Sequence, residues 1–191
     1  MPRPQRTISV VLASLALACR THAPETADRS HESAGAHSTA TSKLEQGGCS
    51  IELEGSWNVL GESAQGDGSW SAARTDGDET LTVLPMPWKA PKLEQEWRDD
   101  LGAVMELRRN AEADRDGTAS ISEPEYVGDG RDPGAFYTSH SLAEGEGTIT
   151  IAKASPTLLC VFFLAGPATV PAELTQGARA ALPKARAAGW P

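Results

Sequence analysis

The sequence predicts an α+β domain built on an antiparallel β-sheet, and three observations predict it. Short strand-like stretches stand before and after one long amphipathic helical pattern, and a second helical pattern closes the chain. Gly-rich turns such as Gly66-Asp67-Gly68 and Asp76-Gly77-Asp78 separate several of the early stretches. The run Thr157 to Leu164, TLLCVFFL, is apolar on both faces, the pattern of a central strand covered on both sides.

Taken in order, the first strands are Ser50 to Leu53, Trp57 to Leu60, Trp70 to Arg74 and Glu79 to Leu84. In the last of these, ETLTVL alternates and sets Leu81 and Val83 on one face. Pro85, Pro87 and Pro91 then break the chain ahead of a helix over Lys92 to Ala113. Leu93, Trp97, Leu101, Val104, Met105 and Ala111 recur along it at three- and four-residue steps, with Glu94, Glu96, Arg98, Asp99, Glu106 and Arg109 on much of the rest. Strands return at Ala119 to Ser122, Ala135 to Ser141, Thr148 to Lys153 and Thr157 to Leu164. A second helix over Val170 to Ala188 carries Val170, Leu174, Ala178, Ala181, Leu182 and Ala185 on one side. Pro171 suits its first turn, and Pro183 kinks or shortens it.

The boundaries follow from composition. Of 191 residues 39% are hydrophobic, and those from Cys49 to Pro191 hold nearly all the bulky apolar side chains, enough for one core. From Arg20 to Lys43 there is no Val, Ile, Leu, Met, Phe, Tyr or Trp. Such a segment has nothing to bury against its ordering entropy, so residues 19–48 read as a disordered tether spanning about 30 Å. The formal charge of −9, without a Lys/Arg-rich run, argues against nucleic-acid binding and against adhesion to anionic lipid through a basic face. No apolar run reaches the roughly 20 residues of a spanning helix.

The N-terminus has its own pattern. Arg3 and Arg6 precede an uncharged stretch from Thr7 to Ala18, which has the length and polarity of a signal-peptide core, so 1–18 is read as a signal peptide. It ends Leu15-Ala16-Leu17-Ala18-Cys19, and small Ala18 before Cys19 resembles the lipobox of bacterial lipoproteins. Ala16 departs from the Leu preferred three residues before the cysteine. The resemblance implies cleavage before Cys19, a diacylglycerol thioether on Cys19 and N-acylation, and hence firm membrane anchoring through several acyl chains. With Arg20 rather than Asp next, it implies the outer membrane. Loss of Arg3 and Arg6 takes the formal charge from −9 to −11. An ordinary secretory signal, with Cys19 incidental, is the alternative.

If Cys19 is lipidated, Cys49 and Cys160 remain as an even pair in an oxidising compartment, where a disulfide is expected. The alternative is two separate thiols, with Cys160 a small buried hydrophobe. The element order is also similar to the PsbP/Mog1-like fold, found in small bacterial lipoproteins of the DcrB type. It opens on a strand followed by Gly55-Ser56-Trp57, then a strand pair, a long amphipathic helix, a run of antiparallel strands and a closing helix. That resemblance implies an α/β/α sandwich and a non-catalytic binding or accessory module, and it supplies no functional residues.

Few side-chain patterns carry chemistry. Glu112, Asp114, Asp116, Thr118 and Glu123, with Gly117 at the sixth position, resemble an EF-hand calcium loop. Glu112 replaces the usual Asp at its first position, Ala119 the usual packing residue, and no second hand is present. A polar helix-to-strand turn ended by Gly117 is the reading adopted, so no metal and no cofactor are expected. His22, His31 and His37 lie in the tether without compact metal spacing, and His140 is the one histidine of the domain. Gly61-Glu62-Ser63-Ala64-Gln65-Gly66 is not a GxSxG elbow, and Gly128 to Gly134 lacks the Lys of a P-loop. Trp88, among prolines, is a candidate contact residue, although covering a loop is the commoner role.

These readings converge on a lipid-anchored cell-envelope protein facing the periplasm or surface. Its expected role is non-catalytic binding or accessory work, with the membrane and an envelope protein as partners. A small-ligand or calcium-binding module is one alternative, and a hydrolase using His140 is the other.

Overall fold

The computed structural model describes residues 40–64, 66–89, 94–115, 120–127, 134–141 and 145–189, with the backbone alone at 94–95, 112, 115 and 134–141. The first elements are β1 (Thr41–Gln46), β2 (Cys49–Glu54), β3 (Trp57–Glu62), β4 (Trp70–Arg74), β5 (Thr80–Pro87) and α1 (Glu94–Arg115). There follow β6 (Ser120–Ile121), β7 (Glu125–Val127), β8 (Gly134–Ser141), β9 (Glu146–Ala154), β10 (Leu158–Pro167) and α2 (Pro171–Ala181). A single 3-10 turn, Leu182–Lys184, leads into β11 (Ala185–Ala187).

The strands form two antiparallel sheets. The larger has the order β3-β4-β5-β10-β9-β8-β6, with β7 also paired to β8, and the smaller has the order β1-β2-β11. β10 lies in the middle of the large sheet and alternates between two cores, as its apolar run requires. Cys160 and Phe162 face one core with Trp70, Leu81, Val83 and Ile151 of the sheet, Leu174 and Ala178 of α2, and Ile51 and Leu53 of the small sheet. Leu159 and Val161 face the other, with Trp97, Leu101 and Met105 of α1. The molecule is thus an α+β fold in three layers, with α1 on one face of the large sheet and α2 and the small sheet on the other. Gly147 permits α2 its close approach, since a Cβ there would lie 2.4 Å from a methyl of Leu174.

Both prolines of the closing helix act as expected. Pro171 occupies the first turn of α2, and Pro183 ends the α-helix at Ala181. The segment after Pro183 does not resume as helix up to Ala188. It becomes β11, whose Ala185 and Ala187 are buried against β2. At the start of α2 the Glu173 carboxylate accepts the Thr169 amide at 2.8 Å and the Thr169 hydroxyl at 3.0 Å. These bonds, the backbone one foremost, hold the Glu173 carboxyl below its ordinary pKa.

One boundary of the sequence reading is corrected. The tether was expected to reach Gly48, but Thr41–Gln46 form β1 and pair with β2 in register from Thr41↔Glu54 to Gln46↔Cys49. Two features beyond the apolar-free stretch explain it. Gly47 and Gly48 have φ of 62° and 80°, as a two-residue hairpin turn requires. Leu44, only 4% exposed, supplies the apolar anchor.

Candidate interaction surface

Cys49 and Cys160 are bonded, with 5.7 Å between their Cα atoms, and both are fully buried. The bond joins the small sheet at β2 to the large sheet at β10, so it pins the two layers of one core together. The remaining cysteine, Cys19, lies outside the described residues, as do residues 1–39 as a whole.

Other residues singled out by the sequence are not gathered into a site. Within the stretch that resembles a calcium loop, the Glu112 side chain, Asp116 and Thr118 lie outside the described residues. Asp114 is exposed, and the Glu123 carboxylate accepts an ion-pair contact from Arg109 at 2.7 Å. Among the described residues no group of three or more His, Cys, Asp or Glu could hold a metal ion. His140 falls in β8 opposite Gly147, and its side chain lies outside the described set. Trp88 is half-buried beside the second core, with its ring tilted 49° to Trp97 at 6.3 Å between centroids.

Exposed large apolar side chains among the described residues are Leu107 on α1, Val127 on β7, Val170 ahead of α2, and the adjacent Val59 and Leu60 on β3 at the end of the large sheet. Among the described strands β3 pairs with β4 alone, in register Trp57↔Arg74 to Val59↔Ala72 and then Gly61↔Ser71 to Glu62↔Trp70, and β1 touches it through Ser42 and Gln46. The extra residue between Val59 and Gly61 is Leu60, at a β-bulge, and Gly61 has φ of 122°. Val59 is 49% and Leu60 67% exposed, so two adjacent aliphatic side chains face water on a terminal strand. The Thr75 amide donates to Ser56 O at 2.8 Å, and the Ser63 amide donates to Ser69 O at 2.7 Å. These bonds set the phase of the ladder, in which the amide and carbonyl of Val59 point away from β4.

The two ends of this edge are held and charged. At one end Ser42 Oγ accepts the Trp57 amide at 3.3 Å, and Trp57 Nε1 donates to Glu54 O at 3.0 Å. The same end carries Glu54, Asp76, Asp78 and Glu79 against Arg74 and Lys184. Arg74 bonds Asp76 at 2.8 Å and Glu79 at 2.9 Å, and its guanidinium lowers the Asp76 pKa. At the other end Gln46 Nε2 donates to Glu62 at 2.7 Å, and Asp67 accepts the hydroxyl and amide of Ser69. Those bonds, the hydroxyl's first, lower the Asp67 pKa, so both ends of β3 are anionic at neutral pH. Sequence reasoning placed Trp57 to Leu60 in a strand but missed its terminal position. The signal was the adjacency of Val59 and Leu60 before Gly61, which breaks the period-2 alternation.

Helix-covered antiparallel sheet, disulfide-linked second sheet and closing helix together define an α+β domain. Among solved structures the chain is similar to the solution structure of cyanobacterial PsbP (CyanoP) from Synechocystis sp. PCC 6803. The two share 11% identity at a TM-score of 0.56, over 83% of this chain and 98% of that one. At that identity the likeness is one of fold, and it agrees with the fold that the element order suggested. No protein-family model matches the chain, and no curated protein matches it.

Proposed function

We propose that this chain is a lipid-anchored protein of the bacterial cell envelope, whose domain serves as a non-catalytic binding or accessory module. Acylated Cys19 anchors it, and the tether carries the domain away from the membrane. Arg20 directs it to the outer membrane. The observation that carries this reading is the Cys49–Cys160 bond, because buried disulfides belong to oxidising compartments. With those two paired, Cys19 is the one cysteine left in the sequence, and it directly follows the signal-like apolar stretch. No helix among the described residues is long and apolar enough to cross a membrane.

The test is metabolic labelling with an alkyne fatty acid, followed by separation of inner and outer membranes. The wild-type chain should incorporate label and sediment with the outer membrane. Cys19→Ala should lose the label and remain as the uncleaved precursor. Label retained by Cys19→Ala, or a wild-type chain released unlabelled, would overturn the lipoprotein reading.

A further inference from the structure

We propose that β1 and the Cys49–Cys160 bond form a load-bearing strap, which carries tension arriving at Ala40 into the middle of the large sheet and spares the chain between the two cysteines. The covalent route is short. The chain enters β1 at Thr41, runs to Gln46, turns at Gly47 and Gly48 and reaches Cys49, which is bonded to Cys160 of β10. β1 and β2 are antiparallel, so Cys49 stands beside Gln46, at the end of the small sheet remote from Ala40. The strands of the two sheets end together. A Cβ on Gly47 would lie 3.2 Å from Pro85 near the end of β5, and one on Gly55 would meet Arg74 at the opposite end, on β4. A pull on Ala40 directed away from Cys160 therefore runs close to the strand directions of both sheets.

Such a pull slides β1 along β2 and does not peel it away. Sliding loads the ladder from Thr41↔Glu54 to Gln46↔Cys49 all at once, whereas peeling loads one pair at a time. Further bonds fasten both ends of β1. The Gly55 amide donates to Ala40 O at 2.7 Å, Ser42 Oγ donates to Gly55 O at 2.8 Å, and Gln46 Nε2 donates to Glu62 at 2.7 Å. Buried Leu44 keys the strand into the core between them. β1 is also close to taut: the chain from Ala40 to Cys49 reaches at most about 32 Å, and the strand already spans about 20 Å of that. Tension thus gains little length, and does little work, by rupturing it. Past β1 the load crosses to β10, which is held by β5 along Leu158 to Ala165 and by β9 along Leu159 to Pro167. Residues 50–159 lie inside the covalent loop, so tension passing to any hold at or beyond Cys160 bypasses them. Without the bond, Cys49 would be drawn back toward the Ala40 end, and β2 would peel from β11 pair by pair.

An anchored chain is pulled whenever the membrane and whatever grips the domain move apart. That the tension comes from an acylated Cys19 rests on the lipoprotein reading; the strap itself does not. The test is force-ramp optical trapping of the full-length chain carrying Cys19→Ala, with DNA handles coupled to azide-bearing residues. Handles at positions 40 and 156 set the load along the strands, since Pro156 is exposed in the turn between β9 and β10, whose Leu158 lies against Gly48. Handles at positions 40 and 56 set it across the open end of the hairpin, where the Gly55 amide meets Ala40 O.

The first rupture should need about twice the force or more with handles at 40 and 156 than with handles at 40 and 56. In the first geometry the oxidised chain should release no more than residues 40–49 and 156–160. Combining Cys49→Ala with Cys160→Ala should lengthen that release several-fold, as residues 50–155 run out. Equal rupture forces in the two geometries would overturn the strap, and so would a double variant whose release stays as short as that of the oxidised chain. The comparison of geometries needs no change at Cys49 or Cys160, so it stands even where that variant folds poorly. Because Cys19→Ala removes the acylation site, each of these outcomes bears on the strap, and the fatty-acid label alone decides the anchor.

Discussion

The two faces of the large sheet are built differently. On the face shared with α2 and the small sheet, Trp70, Phe162, Ile51, Leu81 and Ile151 are fully buried, and the disulfide crosses the layer. On the α1 face the described buried set is smaller, and Leu84, Met86, Trp88, Val104, Ile121, Tyr126 and Phe163 around it are only partly covered. α1 packs over β6 to β9, while Ser71, Ala73 and Thr82 on the β4–β5 side of that face stay half-exposed. Arg108 caps the boundary, with its guanidinium 4.6 Å from the centre of the Phe163 ring. Among the described residues, then, the first face is the one that is cross-linked and holds the larger set of fully buried side chains.

The sharpest way to break this contrast is to remove the cross-link. Cys49→Ala combined with Cys160→Ala should cost about 4 kcal/mol, because the bond closes a loop of sequence separation 111. Urea unfolding of the oxidised wild type against the double variant measures it, and a loss under about 1 kcal/mol would show that packing alone holds that face. Next, Leu81→Ala should cost about 4 kcal/mol and Leu101→Ala about 2.5 kcal/mol, the order expected if the α1 face relaxes more readily into a cavity. The reverse order in the same assay would exchange the roles of the two faces.

Smaller effects test the ends of elements. Glu173 has a lowered pKa in the folded state, so its contribution is present above the ordinary carboxylate pKa and is lost as pH falls through the folded value. Glu173→Gln should therefore be less stable than wild type at neutral pH, with the gap closing in acid. Thermal midpoints read against pH would reveal a constant gap if the carboxylate were not responsible. The smallest change expected is in Leu60→Lys, whose stability should stay within about 0.5 kcal/mol of wild type because the side chain faces water. A larger loss would mean that Leu60 belongs to the core.

Much of this architecture was legible because it is written in local periodicity. Leu81 and Val83 alternate onto one core, β10 is apolar on both faces, and Trp97, Leu101 and Met105 keep helical spacing. The cysteine pairing was also legible, from counting and compartment. β1 and β11 were not. β1 has Leu44 as its one apolar residue, and Ala185 and Ala187 are too small to register as a strand pattern, because their burial comes from β2 far earlier in the chain. The β3 edge was hidden for a related reason. That Trp57 to Glu62 form a strand is local, but whether anything lies beside them depends on the order of the whole sheet. Trp88 showed the converse, since its neighbour Trp97 stands nine residues on and half covers a ring that sequence alone left open to either role.

β11 also orders events in time. Any chain leaves the ribosome, or a secretion channel, with its N-terminus first. The hairpin of β1 and β2 therefore emerges long before its third strand, Ala185–Ala187. Until those residues are out β2 lacks a neighbour on one side, and Cys49 is without its partner until Cys160, 111 residues downstream, has emerged. Such late, long-range closure keeps a nascent polypeptide loose during threading and delays compaction of this layer until β11 has emerged.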